Sequence, residues 1–407
     1  MNRFLRSVLM HRLLLGAALA ASTAAAASLS STDLFTAGSH GYAIYRIPGI
    51  VVTAKGALLA YAEARRHASG DWGAIDIVLR RSQDGGRSWS PQRVIAEVPG
   101  PVAKNPAAVA QKLGLVDGVT YNNPVAIAAR DGTVHFLFCV EYMRAFYMRS
   151  RDDGRTFSPP VEITRAFEAF RRTYDWKVLA TGPGHGIELR NGRLLVPVWI
   201  SLGTGGHAHR PSVVATIFSD DGGNTWQGGE IAVPDTPEVV NPSETAAVEL
   251  AGGRVMLNAR SESPRHRRVV VFSPDGATRW SAPRFQEELV EPICFASLVR
   301  YGDTRRPPYR ILFVNPDNLK RGGEEGQPGR NRDRKNLTVQ LSEDDGATWK
   351  VKRVIEPGWA GYADIAAGPD GAIYCLFERG AAGADHFRPV ALTLVKFPLS
   401  WLTAASK

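Results

Sequence analysis

The chain has 407 residues, 44% of them hydrophobic and 22% charged, with 49 Lys and Arg against 40 Asp and Glu; this ordinary globular composition excludes a disordered or fibrous protein. Forty glycines and 26 prolines without a collagen-like period point to many turns between short elements. Cys139, Cys294 and Cys375 cannot all pair within one chain, and each sits in an apolar run, so a disulfide scaffold is excluded and buried free thiols are expected.

Residues 1–27 carry Arg3, Arg6 and Arg12, then nine apolar residues at 13–21, then small residues ending in Ala25-Ala26-Ala27. That order predicts a secretory leader, because nine apolar residues fall short of the about 20 that a membrane span needs. Cleavage after residue 27 leaves 380 residues and lowers the net charge from +9 to +6. The expected mature protein is a mildly basic, exported chain, periplasmic or extracellular, with no transmembrane segment. Its arginines are scattered over many loops without a nucleic-acid motif, which favours anionic substrates over nucleic acid as partners.

After the leader the chain reads as short apolar or alternating runs, among them IDIVLRRS, TVHFLFCVEY, RLLVPVWI, RRVVVFS, NLTVQLS and AIYCLFE, which predict strands. FEAFRRTYDWKVL is the nearest approach to helical periodicity. One pattern recurs, S-x-D-x-G-x-[ST]-[WF]: SQDGGRSW from Ser82, SRDDGRTF from Ser150, SDDGGNTW from Ser219 and SEDDGATW from Ser342, with a degraded copy SPDGATRW from Ser273. Asp and Ser side chains bond turn amides, Gly permits positive φ and the aromatic packs beneath, so each copy predicts a tight hairpin turn rather than a catalytic group. The starts are spaced 68, 69, 54 and 69 residues apart, enough for a four-stranded blade with generous loops, and 380 residues divide into six such units. The expectation is therefore all-β, a single six-bladed β-propeller over residues 28–407, with RGGEEGQPGR near residue 325 as an exposed loop.

By pattern and order, residues 45–378 resemble the bacterial exo-sialidases, or neuraminidases, whose Asp boxes the repeated turns match. YRIPGI at 45–50 is similar to that family's [FY]RIP segment, which makes Arg46 the first of its three carboxylate-binding arginines. The resemblance continues with Arg260, sixteen residues after Glu244 of NPSETAAVEL, and with Arg334, eight residues before Ser342 in RKNLTVQLS; Arg330 and Arg332 are rivals for the third place. Three guanidiniums around one carboxylate give charge-assisted, partly bidentate bonds that a neutral sugar cannot exploit.

The remaining roles are likewise implied by the resemblance. Tyr362 in GYADIAAGPDG is the nucleophile, Glu244 the base that takes its proton, and Asp71 in ARRHASGDWGAIDI the general acid, with Asp76 as its competitor. A neutral nucleophile suits a substrate whose anomeric carbon already bears a carboxylate, and a phenol with pKa about 10 needs a base near neutrality. Arg65 in AEARR is expected at the sugar hydroxyls, and Glu378 in LFERG beside the first arginine, since a buried guanidinium needs a partner. The family's Asp before Pro124 is here Asn123, which leaves the choice of sugar open, and residues 98–121 look like an insertion at the pocket rim. GPGHGIELRNG resembles a stretch bordering the family's active site.

The histidines His135, His185, His207 and His209 lack metal-ligand spacing, and neither an organic cofactor nor a metal is implied. The expected activity is retaining release of terminal sialic acid from glycoproteins, glycolipids or oligosaccharides by a monomer. A sialic-acid-binding lectin and a glycosidase for a related 2-keto acid sugar are the alternatives.

Overall fold

The structure is a computed structural model that describes residues 28–404 apart from 69, 115–116, 205, 322–323, 326–332 and 382–387. The expected leader, and the rivals Arg330 and Arg332, lie outside the described residues.

The chain is all-β, as its short alternating runs predict. Strand β1 (Ser30–Thr36) is followed by four antiparallel sheets. The first holds β2 (Ile44–Val52), β3 (Leu58–Arg65), β4 (Ile75–Ser82) and β5 (Arg93–Val94). The second holds β6 (Tyr121–Ala128), β7 (Val134–Val140), β8 (Arg144–Ser150) and β9 (Val161–Glu162). The third has β10 (Val178–Ala180), β11 (Ile187–Glu188), β12 (Leu194–Ser201), β13 (Ser212–Ser219) and β14 (Gln227–Val233), and the fourth β15 (Thr245–Glu249), β16 (Val255–Ala259), β17 (Arg267–Ser273) and β18 (Arg284–Val290). Then come β19 (Ser297–Tyr301), β20 (Arg310–Pro316), the small hairpin β21 (Lys320–Arg321) and β22 (Glu324–Glu325), β23 (Lys335–Ser342), β24 (Val351–Ala367), β25 (Ala372–Arg379) and β26 (Ala391–Pro398).

The expected six-bladed division is corrected. Four sheets stand as separate blades, and the remaining long strands form one seven-stranded sheet in the order β1-β26-β25-β24-β23-β20-β19. The reason is β24, 17 residues long, whose first half pairs with β23 and whose second half pairs with β25 without an intervening break. Repeat spacing counts hairpin turns, and a turn motif is blind to whether the strand between two turns is interrupted. The sheets nevertheless close a propeller ring: β2 packs on β6 and β24, β6 on β11, β12 on β15, and β15 on β19.

The repeated turns form as their chemistry dictates. In four copies the Ser hydroxyl accepts the amide of the glycine four residues on: Gly86, Gly154, Gly223 and Gly346, at 2.8–2.9 Å. In the fifth, Ser273 accepts from Gly276 only three residues on (2.9 Å), because one residue of the turn is missing. Between the sheets lie apolar layers; Phe136, Phe138 and Tyr61 pack the first sheet on the second, and Val196, Val198 and Ile217 the second on the third. The segment 167–179, nearest to helical by pattern, gives only the short helix Arg165–Glu168 and a 3₁₀ turn Ala169–Arg172. All three cysteines are free and buried.

Ser219 is fully buried, accepts the Gly223 amide and donates to Asp221 Oδ1 at 2.8 Å. Ser219→Ala is expected to destabilise the chain by about 1–2 kcal/mol, measured as a lower urea midpoint with unchanged slope.

Candidate active site

In an antiparallel pair the start of one strand stands beside the end of the next, and this gathers the polar residues at one end of the ring. Glu244 directly precedes β15 and Arg260 directly follows β16, and the Arg260 amide donates to the Glu244 carbonyl at 3.0 Å. Arg334 likewise precedes β23, and Arg46 stands in β2 opposite Glu63 of β3. Strand pairing slips between Arg46 and Gly49, and again between Ala360 and Ala363 around Tyr362. Such bulges re-aim a side chain out of the strict alternation. At Gly361 an added Cβ would meet Glu378 Oε2 at 2.3 Å, so glycine is what lets that carboxylate approach the bulge.

A cavity of about 270 Å³ opens at this end, lined by Arg46, Asp71, Trp199, His207, His209, Arg210, Ser212, Asn241, Ser243, Glu244, Arg260, Glu262, Arg334 and Tyr362. The Tyr362 hydroxyl donates to Glu244 Oε1 at 2.5 Å and accepts from Arg260 Nη1 at 2.7 Å, while the same Arg260 nitrogen meets Glu244 Oε2 at 2.5 Å. Over the Tyr362 ring stand the guanidinium carbons of Arg46, 5.3 Å from its centroid, and Arg334, at 5.1 Å. Arg46 Nε and Nη2 donate to Glu378 at 3.0 and 3.3 Å, and Glu378 also accepts the amides of Ile47 and Tyr362, each at 3.1 Å. Arg334 donates to the Ile293 carbonyl at 2.8 Å.

Asp71 lies on the loop after β3, its side chain 41% exposed, 2.9 Å from Arg65 Nη1 and 3.8 Å from Arg46 Nη1. Partial burial works to raise its pKa, but the charges of Arg65 and Arg46, with the Arg65 hydrogen bond, outweigh it and hold the carboxyl well below the usual carboxylate range. Burial pushes the Tyr362 phenol well above its ordinary value, Arg260 pulling down and Glu244 adding to the rise, so the group is a neutral phenol at rest. Burial also pushes the His209 imidazole down to about 4, against the upward pull of Asp71.

The structure thus brings Arg46, Asp71, Glu244, Arg260, Arg334 and Tyr362 around one cavity. Arg65 and Glu378 stand behind it, each bonded to a lining residue. Asn123 does not line it: its backbone, at a φ of 49°, donates to Glu63 Oε1 at 2.9 Å, and its carbonyl accepts from Thr181. Asp76 is held in β4 by Tyr42 and Arg66. The GPGHGI stretch runs between the two ends: Gly184 lies against Phe295, which packs on Tyr362, while His185 and Gly186 line a different cavity of about 300 Å³ at the C-terminal ends of the inner strands.

Sequence reasoning missed Glu63, fully buried, which accepts both Nε and Nη2 of Arg65 and so fixes that guanidinium toward Asp71. Its signal was present, for Glu63 and Arg65 are two apart on one strand and share a face. Glu262, two residues beyond Arg260, pairs with Arg210 and Asn241 at the cavity wall. His207, His209 and Trp199 arrive through a loop and a neighbouring sheet and carry no local signal.

The chain belongs to the BNR repeat-like domain family, whose model matches residues 56–375. Among its relatives is a sialidase of Micromonospora viridifaciens, 28% identical over 98% of this chain and 62% of that protein. A sialidase of Bacteroides fragilis is 29% identical over 85% of this chain and 62% of that protein. The chain therefore spans about three fifths of the length of these two relatives. The solved structure of Hadza microbial sialidase Hz136 superimposes with a TM-score of 0.70 at 25% identity, covering 92% of this chain and 69% of that one. The resemblance to sialidases carried by the motifs is thus borne out along most of the chain.

Removing the guanidinium at position 65 takes away the strongest charge opposing desolvation of Asp71. In Arg65→Gln the Asp71 carboxyl is expected to titrate at higher pH than in the unaltered chain, read by ¹³C-carboxyl NMR; an unmoved or lower pKa would show that Arg65 does not set its charge.

Proposed function

We propose that this chain is an exported retaining exo-α-sialidase, residues 28–407 forming one catalytic domain that releases terminal sialic acid from glycoproteins, glycolipids and oligosaccharides. The observation that carries this reading is the Tyr362 hydroxyl held between Glu244 and Arg260 in a cavity that also presents Arg46 and Arg334. A sugar carboxylate among three guanidiniums sits with its anomeric carbon over the phenol. No helix among the described residues is long and apolar enough to cross a membrane, and the small-residue run ending at Ala27 supports export.

The steps follow from the groups present. The Tyr362 oxygen attacks the anomeric carbon as its proton passes to Glu244, and the bond to the leaving oxygen breaks as Asp71 protonates that oxygen. In the second half Asp71 takes a proton from water, the water oxygen attacks the same carbon, and the departing phenolate recovers its proton from Glu244. Glu244 lies at hydrogen-bond distance from the phenol it must deprotonate. Asp71 rests as a carboxylate; a substrate anion among the arginines offsets the pull of Arg46 on it, which raises its pKa, and Asp71 takes up from solvent, as substrate docks, the proton that it then gives to the leaving oxygen.

The first test is release of 4-methylumbelliferone from its α-sialoside by the purified protein. Tyr362→Phe is expected to lower kcat by about 100-fold or more, with Asp71→Ala costing more on a sugar leaving group than on the activated aryl one, which needs little acid assistance. Wild-type turnover in both variants would overturn the assignment, and sialoside binding without release would identify a lectin.

A further inference from the structure

Behind Arg260 and Arg334 stands a further arginine that the mechanism does not use. Arg268, the second residue of β17, and Glu291, directly after β18, are both completely buried, and neither lines the cavity. An ion pair taken out of water is costly unless its remaining donors and acceptors are also met. Here they are met by groups on two sides of the site. Resting on the sialidase reading above, we propose that Arg268 and Glu291 are positioning residues, which hold Arg260 and Arg334 at the spacing a substrate carboxylate requires.

The link to Arg260 runs through Asn258. On β16 that residue stands opposite Val270 of β17, so Arg268, two residues earlier on β17, lies diagonally beside it on the same face. Arg268 Nε donates to Asn258 Oδ1 at 2.6 Å, and Nη2 donates to the Asn258 carbonyl at 2.9 Å. The guanidinium thereby fixes the end of β16, from which Arg260 departs.

The link to Arg334 runs through the connection between β18 and β19. Arg268 Nη1 pairs with Glu291 Oε2 and also donates to the Cys294 carbonyl at 3.3 Å. The other carboxylate oxygen of Glu291 accepts the Cys294 amide at 2.9 Å, which closes residues 291–294 into a bend. Inside that bend Ile293 is held at a φ of 61°, a left-handed conformation that a β-branched residue adopts only at a cost. Strain of this kind persists where the surroundings over-determine it, and the Ile293 carbonyl is the one that receives Arg334 at 2.8 Å.

One planar guanidinium therefore joins the strand end that carries Arg260 to the bend that receives Arg334. Charge alone does not suffice for this. Lysine would still face Glu291, but it has no rigid fork with which to hold Asn258, Glu291 and Cys294 together.

The experiment measures kcat and KM for 4-methylumbelliferyl α-sialoside, Kd for sialic acid by NMR titration, and the urea midpoint, in the wild type and in Arg268→Lys, which keeps the buried charge. KM and Kd are expected to rise together by about tenfold, the effect of misplaced charge-assisted hydrogen bonds, with a smaller fall in kcat. A pair that served stability alone would lower the folded fraction, which reduces apparent kcat and leaves KM and Kd where they were; that result overturns the proposal. Arg268→Met combined with Glu291→Leu removes both charges, so that neither is left buried alone, and is expected to raise KM and Kd at least as far. A folded double variant with wild-type KM and Kd also overturns the positioning role. Neither turnover nor sialic-acid binding by the wild type overturns the sialidase reading itself, whereas binding without turnover leaves Kd as the deciding measurement.

Discussion

Three guanidinium groups share one cavity with a buried phenol, and most of what surrounds them exists to make that tolerable. A buried cation without a partner is strongly disfavoured, and here each is supplied with one: Glu378 holds Arg46, Glu244 holds Arg260, and the Ile293 carbonyl receives Arg334. Glu378 does more than neutralise. By accepting amides from β2 and β24 as well, it fixes the backbone at both bulges. The arginine cluster and the two inner strands are therefore one mechanical unit, and the phenol inherits its position from it.

Asp71 is held differently. Its loop lies outside the sheets, its side chain is partly exposed, and its charge is set by Arg65, which is in turn fixed by the fully buried Glu63. On the proposed function the strands set where a substrate carboxylate sits, while the charge of Asp71, on its loop, answers to Arg65.

Legibility in the sequence followed the range of the interactions. The turn motif is local, five copies of one hydrogen-bonded design, so the hairpins could be placed to the residue. The number of sheets is not local; it depends on β24 running unbroken from one hairpin to the next, and no residue within those 17 announces it. At the site, Arg46, Glu244, Arg260, Arg334, Tyr362 and Glu378 were found through motifs in or directly beside their own strands. His207, His209 and Trp199 escaped because their place beside Asp71 depends on how two sheets and a loop meet. Asn123 shows the opposite failure: its motif is legible, but the bulge between Asn122 and Val125 leaves it outside the lining.

The ring is closed by its two ends. Strand β1 pairs antiparallel with β26, Ser30 standing opposite Lys396, and Arg46 meets its carboxylate 332 residues further on. Contacts of such separation form late and slowly. On a ribosome β1 waits for β26, and Arg46 has no Glu378 until 332 further residues are made. A nascent chain stalled before β25 would hold its first four sheets and no assembled centre, so the arginine cluster depends on a strand made long after its first member.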